Sequence, residues 1–199
     1  MYMKINILGY ILLGLTILIC LRIYQESDLF NLKCIISDVD GKKYCVRERR
    51  KLELAANLLA KVNVNLQKLV NSVKAKYPDR SNVQRLVAGY NPKKIVETLP
   101  TSIHTAYSQN KGEKLAFCLD VEKKSVSKLI DLNTLTFVAI HEIAHIATES
   151  IGHTEEYWDN FKFLLKEASD INIYKPVDYK NKPKKYCGMN ITDNPLFDH

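Results

Sequence analysis

His141-Glu142-Ile143-Ala144-His145 decides how this chain of 199 residues is read. On a helix, positions i and i+4 lie one above the other, so both imidazoles can reach a single Zn²⁺ at about 2.0–2.1 Å. Glu142 points off that axis. It is near enough to act as general base toward a zinc-bound water and to carry the proton to a leaving amine. Random placement of five His and eleven Glu over this length yields the pattern with a probability of about 0.006. The flanking residues Leu132, Leu135, Phe137, Val138, Ile140, Ile143 and Ile146 predict a helix buried on much of its surface. Its expected limits are a cap at Asn133 and an end near Glu149.

A catalytic zinc takes three protein ligands and leaves one position to water. Downstream stand Ile151-Gly152-His153. Gly152 can adopt the left-handed backbone that ends a helix and reverses the chain, returning His153 to the metal. Three of the five histidines then fall within thirteen residues. Glu149, Glu155 and Glu156 are the competing ligands. Glu149 lies one turn past His145, whereas Glu155 and Glu156 suit the positive end of a helix capped by Thr154 and running to about Ser169. Along that helix Trp158, Phe161, Leu164, Leu165 and Ala168 form a stripe expected to pack on the motif helix.

Outward from this centre the pattern is mixed. Residues 34–47 read as a β-hairpin around Asp40-Gly41. Leu52, Ala55, Leu59, Val62, Leu66, Leu69 and Val73 mark one face of a helix over 51–76, with Asn63, Gln67, Asn71 and Lys74 on more polar faces. Short helical segments are expected over 81–90 and 93–99, and two strands over 104–109 and 114–119. The basic run Lys42–Lys51 reads as a solvated face, and the tail from Ile171 as irregular. Tyr174, Tyr179 and Tyr186 are packing or surface residues within reach of a cleft, and His104 and His199 surface or strand residues. These elements predict an α+β domain of helices and a small antiparallel sheet.

The hydrophobic fraction of 46% is unevenly spread. Eighteen of the first 24 residues are apolar, and Ile5 to Leu21 carries no charge. That length spans a bilayer core as a helix, with Lys4, Arg22, Tyr10 and Tyr24 near the interfaces. A cleaved signal is the competing reading, but no small-x-small site follows the run. A buried core helix is the other. The expected organisation is an anchor and linker over 1–29 and a soluble domain over 30–199, a single-pass membrane protein. Charges on the two sides of the span do not choose an orientation. The net charge of +7 is moderate, and nucleic acid is not the expected partner. Cys34, Cys45, Cys118 and Cys187 show no CxxC spacing. Cys34 and Cys45 can face each other across the hairpin, and both disulfides and free thiols fit the composition. Asn190-Ile191-Thr192 is a glycosylation sequon, meaningful only outside the cytosol.

The motif His141–His145, followed by Gly152-His153 and Trp158, resembles the small zincin metallopeptidases of the WLM/SprT-like group over about residues 132–170. The wider chain, including Tyr44-Cys-Val-Arg, Asn110-Lys-Gly-Glu-Lys-Leu-Ala-Phe-Cys and Lys185-Tyr-Cys-Gly-Met, is similar to membrane-anchored proteins carried by large DNA viruses. The resemblance implies a zincin-like fold, a Zn²⁺ held by His141, His145 and His153, catalysis by Glu142, and a protein or peptide substrate. It also implies that strand Lys114–Leu119 lies beside the motif helix and can pair with an extended substrate, and that an oxyanion-stabilising group is present. The seven residues between the second and third His depart from metzincin spacing, and these residues show no DNA-binding module of the kind found in the DNA–protein-crosslink proteases of this group. The alternative is a structural membrane or virion component that retains the zincin fold without turnover.

Overall fold

The computed structural model describes residues 7–26, 31–124 and 128–197; Lys4 and His199 lie outside them. Helix α1 (Ile7–Glu26) has 20 residues, about 30 Å at 1.5 Å per residue, which matches a bilayer core. None of Ile7–Tyr24 is buried against the rest of the chain, and the helix is long and apolar enough to cross a membrane. The Thr16 hydroxyl donates to the Leu12 carbonyl at 2.8 Å, so this polar group is satisfied within its own helix.

The remainder is α+β. Strands β1 (Leu32–Ile36) and β2 (Lys43–Arg47) form the expected hairpin, and α2 (Leu52–Lys76) and α3 (Ser81–Gly89) follow as expected. Beyond them come β3 (Ile95–Glu97), β4 (Ala106–Gln109), β5 (Lys114–Phe117), α4 (Leu132–Ala147), α5 (Glu155–Asp170), β6 (Lys184–Tyr186) and β7 (Met189–Ile191). A single 3₁₀ turn covers Pro195–Phe197. Among the described residues five strands form one sheet in the order β1-β2-β3-β5-β4. The sheet is mixed rather than antiparallel: β3 pairs parallel with both β2 and β5. Residues 93–99 therefore hold a strand where short helical turns were expected. A strand of three residues is too short to display a period, and what makes Ile95–Glu97 a strand is the ladder on each side.

The apolar stripe of α2 is buried as its spacing predicts, but Asn63 is buried with it. Its amide donates to the Tyr44 hydroxyl at 2.7 Å and the Pro92 carbonyl at 2.9 Å, and its oxygen accepts from the Tyr90 hydroxyl at 2.8 Å. A buried amide is tolerated because every bond it needs is made. Helix α4 lies centrally, packed against α2, α3, α5 and β4. Its cap is Asp131, not Asn133: the Asp131 carboxylate accepts from the Thr134 amide at 2.9 Å and its hydroxyl at 2.8 Å. Asn133 instead exchanges two hydrogen bonds with the Lys175 backbone and ties down the tail. The helix stops at Ala147, where Thr148 folds its hydroxyl back to the Ala144 carbonyl.

Two further expectations change. The tail is not irregular throughout: β6 and β7 make a hairpin turned by Cys187 and Gly188, both at positive φ. The basic run is not wholly solvated either. Arg47 and Arg49 are buried against Glu97 and Asp120. All four cysteines of this part are paired. Cys34 lies opposite Cys45 in the β1–β2 ladder, and Cys118 at the end of β5 joins Cys187 in the tail turn. Closing loops of 11 and 69 residues constrains the unfolded chain by about 3 and about 4 kcal/mol respectively. Cys20, in α1, is free.

The β4–β5 turn is seated by close backbone contact. Asn110, Lys111 and Gly112 all have positive φ. A Cβ on Gly112 would come within 2.4 Å of the Gly89 carbonyl oxygen. Gly112→Ala is therefore expected to cost about 1–3 kcal/mol, measured as a lowered denaturation midpoint.

Candidate metal centre

His141 and His145 project from one face of α4, as their spacing dictates. The chain then turns through Gly152 at φ +88° and brings His153 back to them just before α5. Ligand-capable atoms of the three rings lie within 4.8 Å of one another, and the Nε2 atoms of His141 and His153 approach to 3.2 Å. Two nitrogens on a tetrahedral zinc at about 2.0–2.1 Å are about 3.4 Å apart, so the donor set fits that ion. Among the described residues no fourth His, Cys, Asp or Glu joins this cluster. Burial, with the neighbouring imidazoles, pushes the His141 pKa down to about 3 and that of His145 to about 4. Both rings are thus neutral near pH 7, the form that binds metal.

The carboxylates that competed for the third position are elsewhere. Glu149 is exposed and pairs with Arg85 at 3.4 Å. Glu155 begins α5 and is exposed. Glu156 accepts from the Glu149 and Ser150 amides at 3.0 and 3.2 Å and pairs with Arg85 at 3.1 Å. It therefore braces the loop that carries His153. The Thr154 hydroxyl caps α5, accepting from the Tyr157 amide at 3.4 Å. From the other side, the Lys111 ammonium donates to the carbonyls of Thr148 at 2.7 Å and of His145 and Ser150 at 3.2 Å. A cation on the last carbonyls of α4 opposes the helix dipole and fixes the end from which His145 projects. The periodicity of α4 gives no sign of this lysine, which arrives from the β4–β5 turn.

Aromatic rings wall the imidazoles from behind. Tyr157 stacks on His145 at 4.3 Å between centroids, and Phe161 meets His141 edge-on at 5.3 Å. The sequence assigned Trp158 to the core, but it is 42% exposed and lines the cleft, while its neighbour Tyr157 is buried. Of the three tail tyrosines, Tyr174 and Tyr179 pack on Phe137 and Tyr186 lines the cleft wall. His104 is exposed at the outer end of the cleft.

Glu142 is only 6% exposed. Burial pushes its pKa up to about 8, opposed by a hydrogen bond from the Ser108 amide of β4. That contact joins the carboxylate to the sheet edge. The edge is β4, not β5 as expected: β5 is flanked by β3 and β4 and has no free side. The Thr105 carbonyl accepts from the Cys118 amide at 2.8 Å. Antiparallel alternation then turns the backbone groups of Ala106 and Ser108 outward, toward the cleft. Two hollows meet at His141, Glu142 and Ala106, one of ≈ 240 Å³ toward Phe137 and the tail hairpin and one of ≈ 580 Å³ toward Lys111 and His153. The arrangement provides three imidazole nitrogens able to hold one metal ion, a buried carboxyl beside them and a strand edge running past both.

No protein-family model matches the chain. It is 29% identical over 164 residues to uncharacterized protein R325 of Acanthamoeba polyphaga mimivirus, covering 80% of this chain and 82% of that protein. It is 35% identical over 77 residues to uncharacterized protein 136R of Invertebrate iridescent virus 6, covering 38% of this chain and 41% of that one. It is 33% identical over 102 residues to uncharacterized protein 042R of Invertebrate iridescent virus 3, covering 50% and 57%. Among solved structures, the crystal structure of Wss1 from Saccharomyces cerevisiae has a TM-score of 0.46 and 14% identity, covering 63% of this chain and 86% of that chain.

Proposed function

We propose that this chain is a zinc-dependent peptidase held at a membrane by α1, with residues 30–199 as its metallopeptidase domain. The observation that carries the reading is the convergence of His141, His145 and His153 beside a buried Glu142, at the open edge of a sheet. The similarity of residues 132–170 to WLM/SprT-like zincins supports the same reading.

In this reading the three histidines hold the ion through neutral imidazole nitrogens. When bound, zinc supplies Lewis acidity, polarising a carbonyl and making a water acidic. An extended substrate adds to β4 as a further strand, bonding to the outward backbone groups of Ala106 and Ser108. Glu142 accepts a proton at its carboxylate from the attacking water and delivers it to the leaving nitrogen. Its buried position suits both halves of that exchange, because the protonated form is not strongly disfavoured there. Lys111 and Glu156 are positioning residues that hold the α4 end and the His153 loop.

The test is metal content of the purified full chain together with a proteomic cleavage screen, wild type against Glu142→Gln. Zinc bound in both with no peptide separating them would leave a structural membrane component instead. His153→Ala is expected to weaken zinc binding by more than about 100-fold, since even residues that merely orient a metal ligand are worth about 10–100-fold. Competition with a chromophoric chelator measures it.

A further inference from the structure

The hollow of ≈ 240 Å³ beside His141 and Glu142 has walls of Phe137, Val138, Trp158, Phe161, Met189 and Ile191. It is smaller than the pockets of about 300–1,000 Å³ that take whole small molecules, so it suits one side chain. It is also continuous with the candidate centre. It shares His141 and Glu142 with the triad side of the cleft, and Ala106 with the edge strand.

Its outer wall does not come from the motif helices. Met189 and Ile191 lie on β7, in the tail hairpin. That hairpin is anchored where it matters: Cys187 is bonded to Cys118, and the Cys187 and Gly188 amides donate to the Asp120 and Val121 carbonyls at 3.0 and 2.8 Å. Just beyond β7, the Asn194 side-chain Nδ2 donates to the Tyr174 hydroxyl at 2.9 Å and the Val177 carbonyl at 2.8 Å. A wall held at both ends is preorganised, so a side chain entering the hollow need not order it first.

We propose that the tail hairpin sets substrate specificity: together with Phe137, Trp158 and Phe161 it forms a pocket for one large apolar side chain, Phe or Leu, of a residue next to the scissile bond. This rests on the peptidase reading for the word scissile, but not for the pocket. A substrate strand on β4 passes Ala106, which opens onto the hollow, so a side chain there leaves water for hydrocarbon walls. Small side chains reach little of those walls, and an acidic one would face the Asp193 carboxylate that lines the same hollow beside Thr105 and Thr192.

Trp158 is the single tryptophan of the chain and lines the pocket, so its fluorescence reports occupancy without any turnover. The experiment uses the zinc-loaded full chain carrying Glu142→Gln, kept soluble in amphipol. It is titrated with blocked hexa-alanine and with the same peptide carrying one central Phe or Leu. The Phe and Leu peptides are expected to bind about tenfold tighter than hexa-alanine and to shift Trp158 emission. Adding Ile191→Lys should bring the peptides to within about twofold of one another, and Ile191→Leu should restore the preference. Equal binding of all three peptides, binding of none, or a preference that survives Ile191→Lys overturns the pocket. Wild-type activity separates the two readings. Cleavage with no apolar preference sinks the pocket alone, whereas an apolar binding preference without cleavage sinks the peptidase alone.

Discussion

Glu142→Gln is expected to leave zinc stoichiometry unchanged and to lower peptide cleavage by about 10²–10⁴-fold. The substitution conserves shape. Gln keeps an oxygen that can accept the Ser108 amide, and it changes no imidazole. It removes only the capacity to take a proton from water and release it to nitrogen. Cleavage by the variant at the wild-type rate would refute the role of Glu142. The same substitution has a second consequence, of opposite sign, for stability. In the metal-free protein burial raises the Glu142 pKa from 4.5 to about 8. A carboxyl raised in this way keeps its stability contribution below pH 4.5 and loses it as pH climbs toward 8, because the folded state holds a proton that the unfolded state has released. Gln has no such proton. Metal-free Glu142→Gln is therefore expected to melt above metal-free wild type at pH 8, with the gap closing toward pH 4.5, as a thermal scan against pH would record. A gain in stability on loss of the candidate general base is what a functional group in an unfavourable environment produces.

The second large effect lies away from the cleft. Arg47 donates to Glu97 at 2.6 Å, to Asp120 at 3.0 Å and to the Lys123 carbonyl at 2.7 Å, and its own amide donates to Glu97 at 2.7 Å. Arg49 closes the set by pairing with Glu97 and with Asp120 at 3.0 Å. All four side chains are at most 6% exposed. Burial outweighs the arginines at Asp120 and holds its pKa above the usual carboxylate value. Arg47→Met removes one cation and leaves two carboxylates with a single partner, so it is expected to cost about 3–5 kcal/mol. The deficit should shrink as pH falls, because protonating Asp120, whose carboxyl pKa burial already raises, relieves the unpaired charge. Urea denaturation at pH 7.5 and pH 5 measures both statements, and equal loss at the two values would contradict the second. The cluster joins β2, β3 and the end of β5, next to the Cys118–Cys187 bond. It thereby fixes the strands behind the β4 edge and the root of the tail hairpin.

What the chain declares by itself is local. Two histidines four apart, with a glutamate between them and apolar residues around, specify a buried helix and the ring stacking on one face of it. A glycine followed by a histidine and a capping threonine specifies the reversal that returns a third ring. These depend on backbone geometry within a few residues, so α4, α5, His141, Glu142, His145 and His153 could be read before any packing was known. The apolar length of α1, enough to cross a bilayer, is local in the same sense. The rest is decided by groups far apart in sequence. Ile95–Glu97 is a strand because β2 and β5 flank it, and β4 is the edge because β3 takes the far side of β5. Arg47 and Arg49 belong to a basic run, yet they are buried because acids 48–73 residues away converge on them. Lys111 caps α4 from a turn whose own sequence says only that the chain reverses. Trp158, expected in the core, is exposed and Tyr157 is covered instead, because the neighbours of α5, not its period alone, choose which ring is covered. The cleft wall from Met189 to Ile191 depends on a disulfide spanning 69 positions. Helical periodicity carries the candidate ligands and the candidate base through the sequence, whereas sheet order, buried charge and the shape of a pocket exist only once loops have closed.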